Sequence, residues 1–146
     1  MYIIAFRENP AKDHIHDGLI FNVLIGNADA HAKNYSILYR RNERRLAPFY
    51  DLVCTLAWPE LSKTPAMKIG MSDSIERITS THWQKMAQES RVGWPMLRER
   101  IVDLCGKVID ELRNKDLLAA THDLTMAERV AGIIQEQAAS LLRSLK

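Results

Sequence analysis

The chain has 146 residues, of which 47% are apolar and 26% charged, and a formal net charge of +2. This is the make-up of one soluble globular domain with enough chain for a real core. So small a net charge gives no argument for a nucleic-acid or membrane partner, and no run approaches the roughly eighteen consecutive apolar residues of a membrane helix. The two cysteines, Cys54 and Cys105, match no metal-ligand spacing. Free thiols in a reducing cytosol are expected, with a disulfide between them left open. The first residues have too short an apolar run and no basic leader for a secretory signal, so a cytoplasmic location is expected.

Residues 2–6 are apolar and β-prone, a short strand or an apolar arm, and Pro10 interrupts them. A helix is expected from about Asp13, with Ile15, Leu19, Ile20, Val23 and Leu24 on one buried stripe and Gly26 as its stop. Residues 35–39 alternate as a strand does. A polar turn over residues 40–45, with Arg40, Arg41, Arg44 and Arg45, leads to a return from Leu46 to Phe49. Those arginines read as a solvated edge guard, or else as a patch for nucleic acid or a phosphoprotein. Residues 52–58 suit a short helix ended by Pro59, and residues 66–69 a short strand closed by Gly70. Beyond them the pattern is helical. Thr81 with Gln84 is a candidate capping box for a helix with Trp83, Met86 and Ala87 inward. Pro95 suits the first turn of a second helix striped by Leu97, Ile101, Leu104, Val108 and Leu112. Thr125 with Glu128 is a second candidate box, before a helix whose inner face is Val130, Ile133, Ile134, Gln137, Leu141 and Leu142. A polar connection over residues 114–123 separates the last two.

The chemistry concentrates in Gly26-Asn27-Ala28-Asp29-Ala30-His31-Ala32-Lys33-Asn34, with Phe49-Tyr50-Asp51 after the hairpin. Four side chains able to hold a metal or move a proton, Asn27, Asp29, His31 and Asn34, fall within eight residues. Protein kinases place a catalytic Asp five residues before an Asn, with a metal-binding Asp further on. Asp29 and Asn34 have that spacing, and Asp51 supplies the third group. Phosphoryl transfer is mostly positioning and charge neutralisation. Asp29 would accept the substrate hydroxyl proton, Asp51 would be the principal Mg²⁺ ligand, and Asn34 would add a neutral hard oxygen. Lys33 would neutralise developing charge. His31 orients Asp29, contacts phosphate, or packs under the loop. The plain alternative is a polar loop rich in Asn, Asp and Lys because loops are. A metal-dependent hydrolase using Asp29, His31 and Asp51 is a weaker reading.

Phe21-Asn-Val-Leu-Ile-Gly-Asn-Ala-Asp-Ala-His-Ala-Lys-Asn34, followed by Leu46-Ala-Pro-Phe-Tyr-Asp-Leu52, resembles the C-terminal lobe of the HipA-type serine/threonine kinases of bacterial toxin–antitoxin systems. The Asp-x-His-x-x-Asn core is also similar to the catalytic loop of phosphoinositide kinases. The match is dense over residues 19–57 and looser beyond. The resemblance implies a mainly α, α+β fold: a kinase-like C-lobe spanning residues 1–146, with three or four core helices and a small antiparallel hairpin sheet. It implies ATP and Mg²⁺ as cofactors and a protein hydroxyl as acceptor. An antitoxin or a complementary kinase lobe is the implied partner, with DNA reached only through an antitoxin.

The 28 residues before Asp29 hold two glycines, Gly18 inside a predicted helix and Gly26 at its stop. No Gly-rich loop and no strand lysine with a helix glutamate is present to grip ATP. The resemblance puts these parts upstream, so a C-lobe alone is expected, inactive until completed in trans, or else a non-catalytic module for an antitoxin or kinase partner. Apolar surface left by a missing lobe, with residues 1–6 as an unpaired strand, predicts a homodimer or an obligate partner.

Overall fold

The structure, a computed structural model, describes residues 14–41, 43–114 and 123–146. Helix α1 (His14–Leu24) lies in the core. Ile20 and Leu24 are fully buried, and Phe21 and Val23 nearly so. An α-helix that is apolar on most sides belongs inside a core. Ile15, expected in the buried stripe, is instead 47% exposed, while Asp17 of the same first turn is buried. The helix stops where the glycine is. Gly26 has φ +68°, its N–H donates to the Val23 carbonyl at 3.1 Å, and the Asn27 N–H donates to the Asn22 carbonyl at 2.8 Å. These two bonds form a Schellman cap, which needs a left-handed residue at this position. The expected strand or arm at residues 2–6 lies outside the described residues.

Strands β1 (Ile37–Arg40) and β2 (Glu43–Leu46) form a two-stranded antiparallel sheet, with Ile37 opposite Leu46 and Arg40 opposite Glu43. The ladder continues one step outward, where the Ala47 N–H donates to the Ser36 carbonyl at 2.8 Å. The hairpin is as predicted, but its turn is shorter. Only positions 41 and 42 separate the strands, and Arg41 has φ +45°. Two-residue connections with positive φ match the strand twist, so the pairing extends into what the sequence reads as a six-residue turn. Arg44 and Arg45 therefore belong to the return strand, not the tip.

Residues 52–58 do not make a helix. One 3-10 turn, Thr55–Ala57, stands there, and Leu52 and Leu56 pack against the core. Residues 66–69 are not a strand either: the two-stranded sheet has no place for them, and the Ala66 N–H instead donates to the Ala28 carbonyl at 2.8 Å. This irregular segment inserts Ile69, Ile75 and Ile78 into the core, with a second 3-10 turn at Ile75–Arg77.

Helix α2 (Ser80–Glu89) begins two residues earlier than the Thr81 signal. Thr79 is its N-cap, and His82 takes the reciprocal role usually filled by Glu or Gln: its Nδ1 accepts from the Thr79 N–H at 3.1 Å. Trp83 and Ala87 face inward as expected. Helix α3 (Trp94–Leu112) carries Pro95 in its first turn, and Leu97, Ile101, Leu104, Cys105 and Val108 are buried along one face. Helix α4 (Leu124–Ser144) is capped by Asp123, whose side chain accepts from the Met126 N–H at 3.0 Å, so Thr125 and Glu128, the expected box, both lie inside the helix. A carboxylate there also favours the positive end of the helix dipole. Its buried line is Ala131, Ile134, Ala138 and Leu141, with Val130 and Leu142 at the margins. Positions 115–122 of the expected polar connection lie outside the described residues.

Helices α1, α3 and α4 pack mutually, and α2 packs on α3. A charged link joins α1 to α3. Asp17, 1% exposed, takes both oxygens to the guanidinium of Arg100, which also meets Asp103 at 2.8 Å. Cys54 and Cys105 are both buried and free, and burial pushes the Cys105 thiol up to about 12. Among the described residues no helix is long and apolar enough to cross a membrane. The architecture is the mainly α arrangement with a small antiparallel hairpin that the sequence leads one to expect.

Candidate active site

The nine-residue loop runs from the capped end of α1 into a 3-10 turn, Ala32–Asn34, that leads to the hairpin. It is strapped from behind. The Thr55 hydroxyl donates to the Gly26 carbonyl at 3.0 Å and accepts from the Ala28 N–H at 2.8 Å. The Leu56 N–H adds a bond to the same Gly26 carbonyl at 3.2 Å. The rigid end of a core helix and the turn after Asp51 thus hold the loop from two sides.

Asn34 and Asp51 meet. The buried Asn34 donates from Nδ2 to Asp51 Oδ2 at 2.9 Å across 17 positions of sequence, because the hairpin folds the chain back. Asp51 has φ +58°, a left-handed conformation that Asp tolerates better than most residues and that is found disproportionately at functional sites. Asp29 and His31 form a second pair, with His31 Nδ1 at 3.2 Å from Asp29 Oδ1 and 2.8 Å from the Asp29 carbonyl oxygen. Both atoms facing Nδ1 are oxygen acceptors, so the proton belongs on Nδ1. Of the roles open to His31, the geometry supports orienting Asp29. The two pairs are joined through Asn27, whose Oδ1 accepts from the Asp29 N–H at 3.2 Å and whose Nδ2 donates to the Asp51 carbonyl at 3.0 Å. The Lys33 side chain is exposed, and its carbonyl accepts from the Tyr50 hydroxyl at 2.6 Å.

With Nδ2 turned to Asp51, the Asn34 amide keeps its oxygen, and the Asp51 carboxylate adds another. One carboxylate and one amide oxygen are hard donors that suit Mg²⁺, an ion that takes few protein ligands and completes its octahedron with water and phosphate. The donor chemistry fits that ion. The hydrolase reading fares differently. It needs Asp29, His31 and Asp51 gathered on one ion, and among the described residues no group of three His, Cys, Asp or Glu side chains is so placed. The hairpin directs Asp51 to Asn34, while His31 turns to Asp29.

The supporting residues escaped the sequence reading. Asn22 lies on α1, donates to the Gly18 carbonyl at 2.8 Å and the Tyr35 hydroxyl at 3.2 Å, and accepts from Asn27 at 2.7 Å. Tyr35 packs edge-on against Phe49, with ring centroids 5.8 Å apart, and burial raises its phenol above the ordinary value against the opposing pull of the Asn22 bond. Gly18 makes room for this: a Cβ there would stand 2.6 Å from the Phe49 ring. A Gly and an Asn four residues apart, enclosing an apolar run in the second half of α1, were the available signals. Thr55 offered none. Its role is testable, since Thr55→Val keeps the shape but leaves the buried Ala28 N–H unpaired. A loss of about 1–3 kcal/mol in denaturant unfolding is expected, with Thr55→Ser near wild type.

The HipA-like C-terminal domain family matches residues 3–115 of this chain. Y4mE of Sinorhizobium fredii, a kinase by name, is 41% identical over 117 residues, covering 79% of this chain and 27% of that protein. The serine/threonine-protein kinase toxin HipA of Shewanella oneidensis is 39% identical over 69 residues, covering 46% of this chain and 16% of the toxin. A solved structure of HipA from the same organism, in complex with HipB and operator DNA, superimposes with a TM-score of 0.77. It covers 90% of this chain and 32% of that one at 22% identity, a likeness of fold. The chain thus spans about a quarter of the length of Y4mE, and it shares the fold of the matched part of that HipA chain. The match over residues 3–115 includes the loop, the hairpin and Asp51, and the chain belongs to the HipA-like C-terminal domain family.

Proposed function

We propose that this chain is the catalytic-loop and metal-holding lobe of a serine/threonine protein kinase of a toxin–antitoxin system. It transfers the γ-phosphoryl group of ATP to a protein hydroxyl when a nucleotide-gripping lobe completes the site. The observation that carries this reading is the Asn34–Asp51 contact beside the Asp29–His31 pair, on a loop and hairpin in kinase order. Membership of a family that includes a kinase toxin supports it. Asp29 accepts the proton of the attacking hydroxyl as its oxygen bonds to the γ-phosphorus and the bond to the ADP oxygen breaks. His31 Nδ1–H donates to the Asp29 carbonyl, with the Asp29 carboxylate 3.2 Å away, and so steadies Asp29. Lys33, exposed beside the pair, offers positive charge to the phosphoryl oxygens. Asn34 and Asp51 would hold Mg²⁺, which supplies charge neutralisation to the phosphates.

The whole chain acts as one lobe, in the cytoplasm. Its partners are a complementary lobe and an antitoxin, with DNA reached through the antitoxin, as the HipA–HipB–DNA neighbour illustrates for its own chain. Labelled ATP, Mg²⁺ and a protein acceptor test the reading. The 146-residue chain alone is expected to transfer negligibly. Mixed with a polypeptide carrying the part of Y4mE that it does not match, it is expected to transfer phosphate. Asp29→Asn is then expected to lower the rate by about 10²–10⁴-fold, the range of a lost general base, and Asp51→Asn to abolish the Mg²⁺-dependent rate. Transfer unchanged in both variants would overturn the reading.

A further inference from the structure

We infer that Asn27 is the positioning residue of this site: one buried amide that fixes both the Asp29 loop and the Asp51 backbone, and so sets the metal-holding geometry without touching the metal. This rests on the phosphoryl-transfer reading and deepens it. Asn27 is 3% exposed, and the whole hydrogen-bonding capacity of its side-chain nitrogen is used. The two Nδ2 protons go to Asn22 Oδ1 at 2.7 Å and to the Asp51 carbonyl at 3.0 Å, while Oδ1 accepts from the Asp29 N–H at 3.2 Å. Its own N–H closes the cap of α1 at 2.8 Å. Its nitrogen has no donor to spare, and its oxygen is buried and turned to the Asp29 N–H, so its side chain is committed to holding the backbone rather than to a metal or a proton.

Its anchor is the core. Asn22 lies on α1 and is itself held by the Gly18 carbonyl and the Tyr35 hydroxyl. Its target is the one residue of the site with a disfavoured backbone. Asp51 keeps φ +58° with its carbonyl bound by Asn27 and its carboxylate bound by Asn34. A left-handed non-glycine residue persists where its surroundings over-determine it. Without the Asn27 bond, the Asp51 peptide is free to rotate to negative φ, carrying the carboxylate away from Asn34. Only an amide serves, because the position needs two donors and an acceptor on one planar group. Asn27→Asp is nearly isosteric yet sets carboxylate oxygens against the Asn22 oxygen and the Asp51 carbonyl.

The full 146-residue chain, isotopically labelled, is titrated with Mn²⁺ as a paramagnetic stand-in for Mg²⁺, and amide signals are followed by NMR. In the wild type, broadening centred on the Asn34 side-chain amide and the Asp51 N–H is expected. Asn27→Asp and Asn27→Ser are each expected to weaken that binding by about 10–100-fold, the usual effect of removing a partner that orients a metal ligand. Signals from α3 and α4 should keep their wild-type positions, which a general loss of structure would not allow. Binding within twofold of wild type in either folded variant overturns the inference and leaves the kinase reading standing. Absence of localised broadening in the wild type overturns both. A third measurement needs no variant: both Asn27 Nδ2 protons should exchange slowly with solvent in the wild type, and rapid exchange would sink the proposed anchoring.

Discussion

Arg100→Met is expected to lower the free energy of unfolding by about 3–5 kcal/mol, a large part of the stability of a small domain. The cost comes from Asp17, not from the lost arginine stem. The Asp17 carboxylate sits on α1 at 1% exposure, and the Arg100 guanidinium of α3 takes both of its oxygens, one of them from Nη2 at 2.7 Å. Methionine fills much the same space as the arginine stem but removes the guanidinium that meets both oxygens of a buried carboxylate. The guanidinium is shared with Asp103, which Lys107 also meets at 3.0 Å. Arg100→Lys should recover only part of the loss, because an ammonium cannot match both carboxylate oxygens in one plane. Asp17→Leu combined with Arg100→Met should come back to within about 1–2 kcal/mol of wild type, since replacing both members of a buried pair by apolar groups is often close to neutral. Urea unfolding with an unchanged slope measures all three. A loss below 1 kcal/mol for Arg100→Met, against the several expected, would show that the pair is not an essential tie between α1 and α3.

What the sequence disclosed follows the range of the forces involved. The Leu97, Ile101, Leu104, Val108 stripe and Pro95 at the start of α3 are local patterns, and all are borne out. Gly26 as the stop of α1 is a local signal too, and its positive φ and two cap bonds are what such a glycine is for. The meeting of Asn34 with Asp51 was within reach of the sequence because the hairpin that returns Asp51 to the loop is short. The capping choices were less so. Thr79 and Thr81 compete for the start of α2, and the outcome depends on a histidine serving as the reciprocal cap. The expected strand at residues 66–69 failed for a non-local reason: a strand needs an edge to pair with, and Ala66 bonds to Ala28 instead. Thr55 lay deepest out of reach. A threonine in an apolar stretch carries no mark that its hydroxyl will close a loop 27 residues earlier in the chain.

Gly70→Ala is expected to cost more than about 3 kcal/mol, among the largest effects of any single methyl group in this chain. Two separate objections apply. Gly70 has φ +52°, where a β-carbon is strained, and a Cβ built there stands 2.1 Å from the His82 carbonyl oxygen and 2.7 Å from the His82 carbonyl carbon. The obstacle is backbone, not the end of a pliable side chain. It is also backbone that cannot retreat. His82 is the third residue of α2, its ring closes the capping box with Thr79, and the next residue, Trp83, is fully buried. Relief would require the irregular segment carrying Ile69 and Ile75 to leave the core, or the first turn of α2 to open. Gly106→Ala provides the contrast. A Cβ there meets nothing within 4 Å, and the residue is exposed within α3. There the methyl group replaces a poor helix former, and a gain of about 0.5–1 kcal/mol is expected. The same chemical change should thus lower the melting temperature at position 70 and raise it at position 106. A Gly70→Ala protein that melts within a degree or two of wild type would mean that the chain near α2 yields more readily than the close approach to His82 allows.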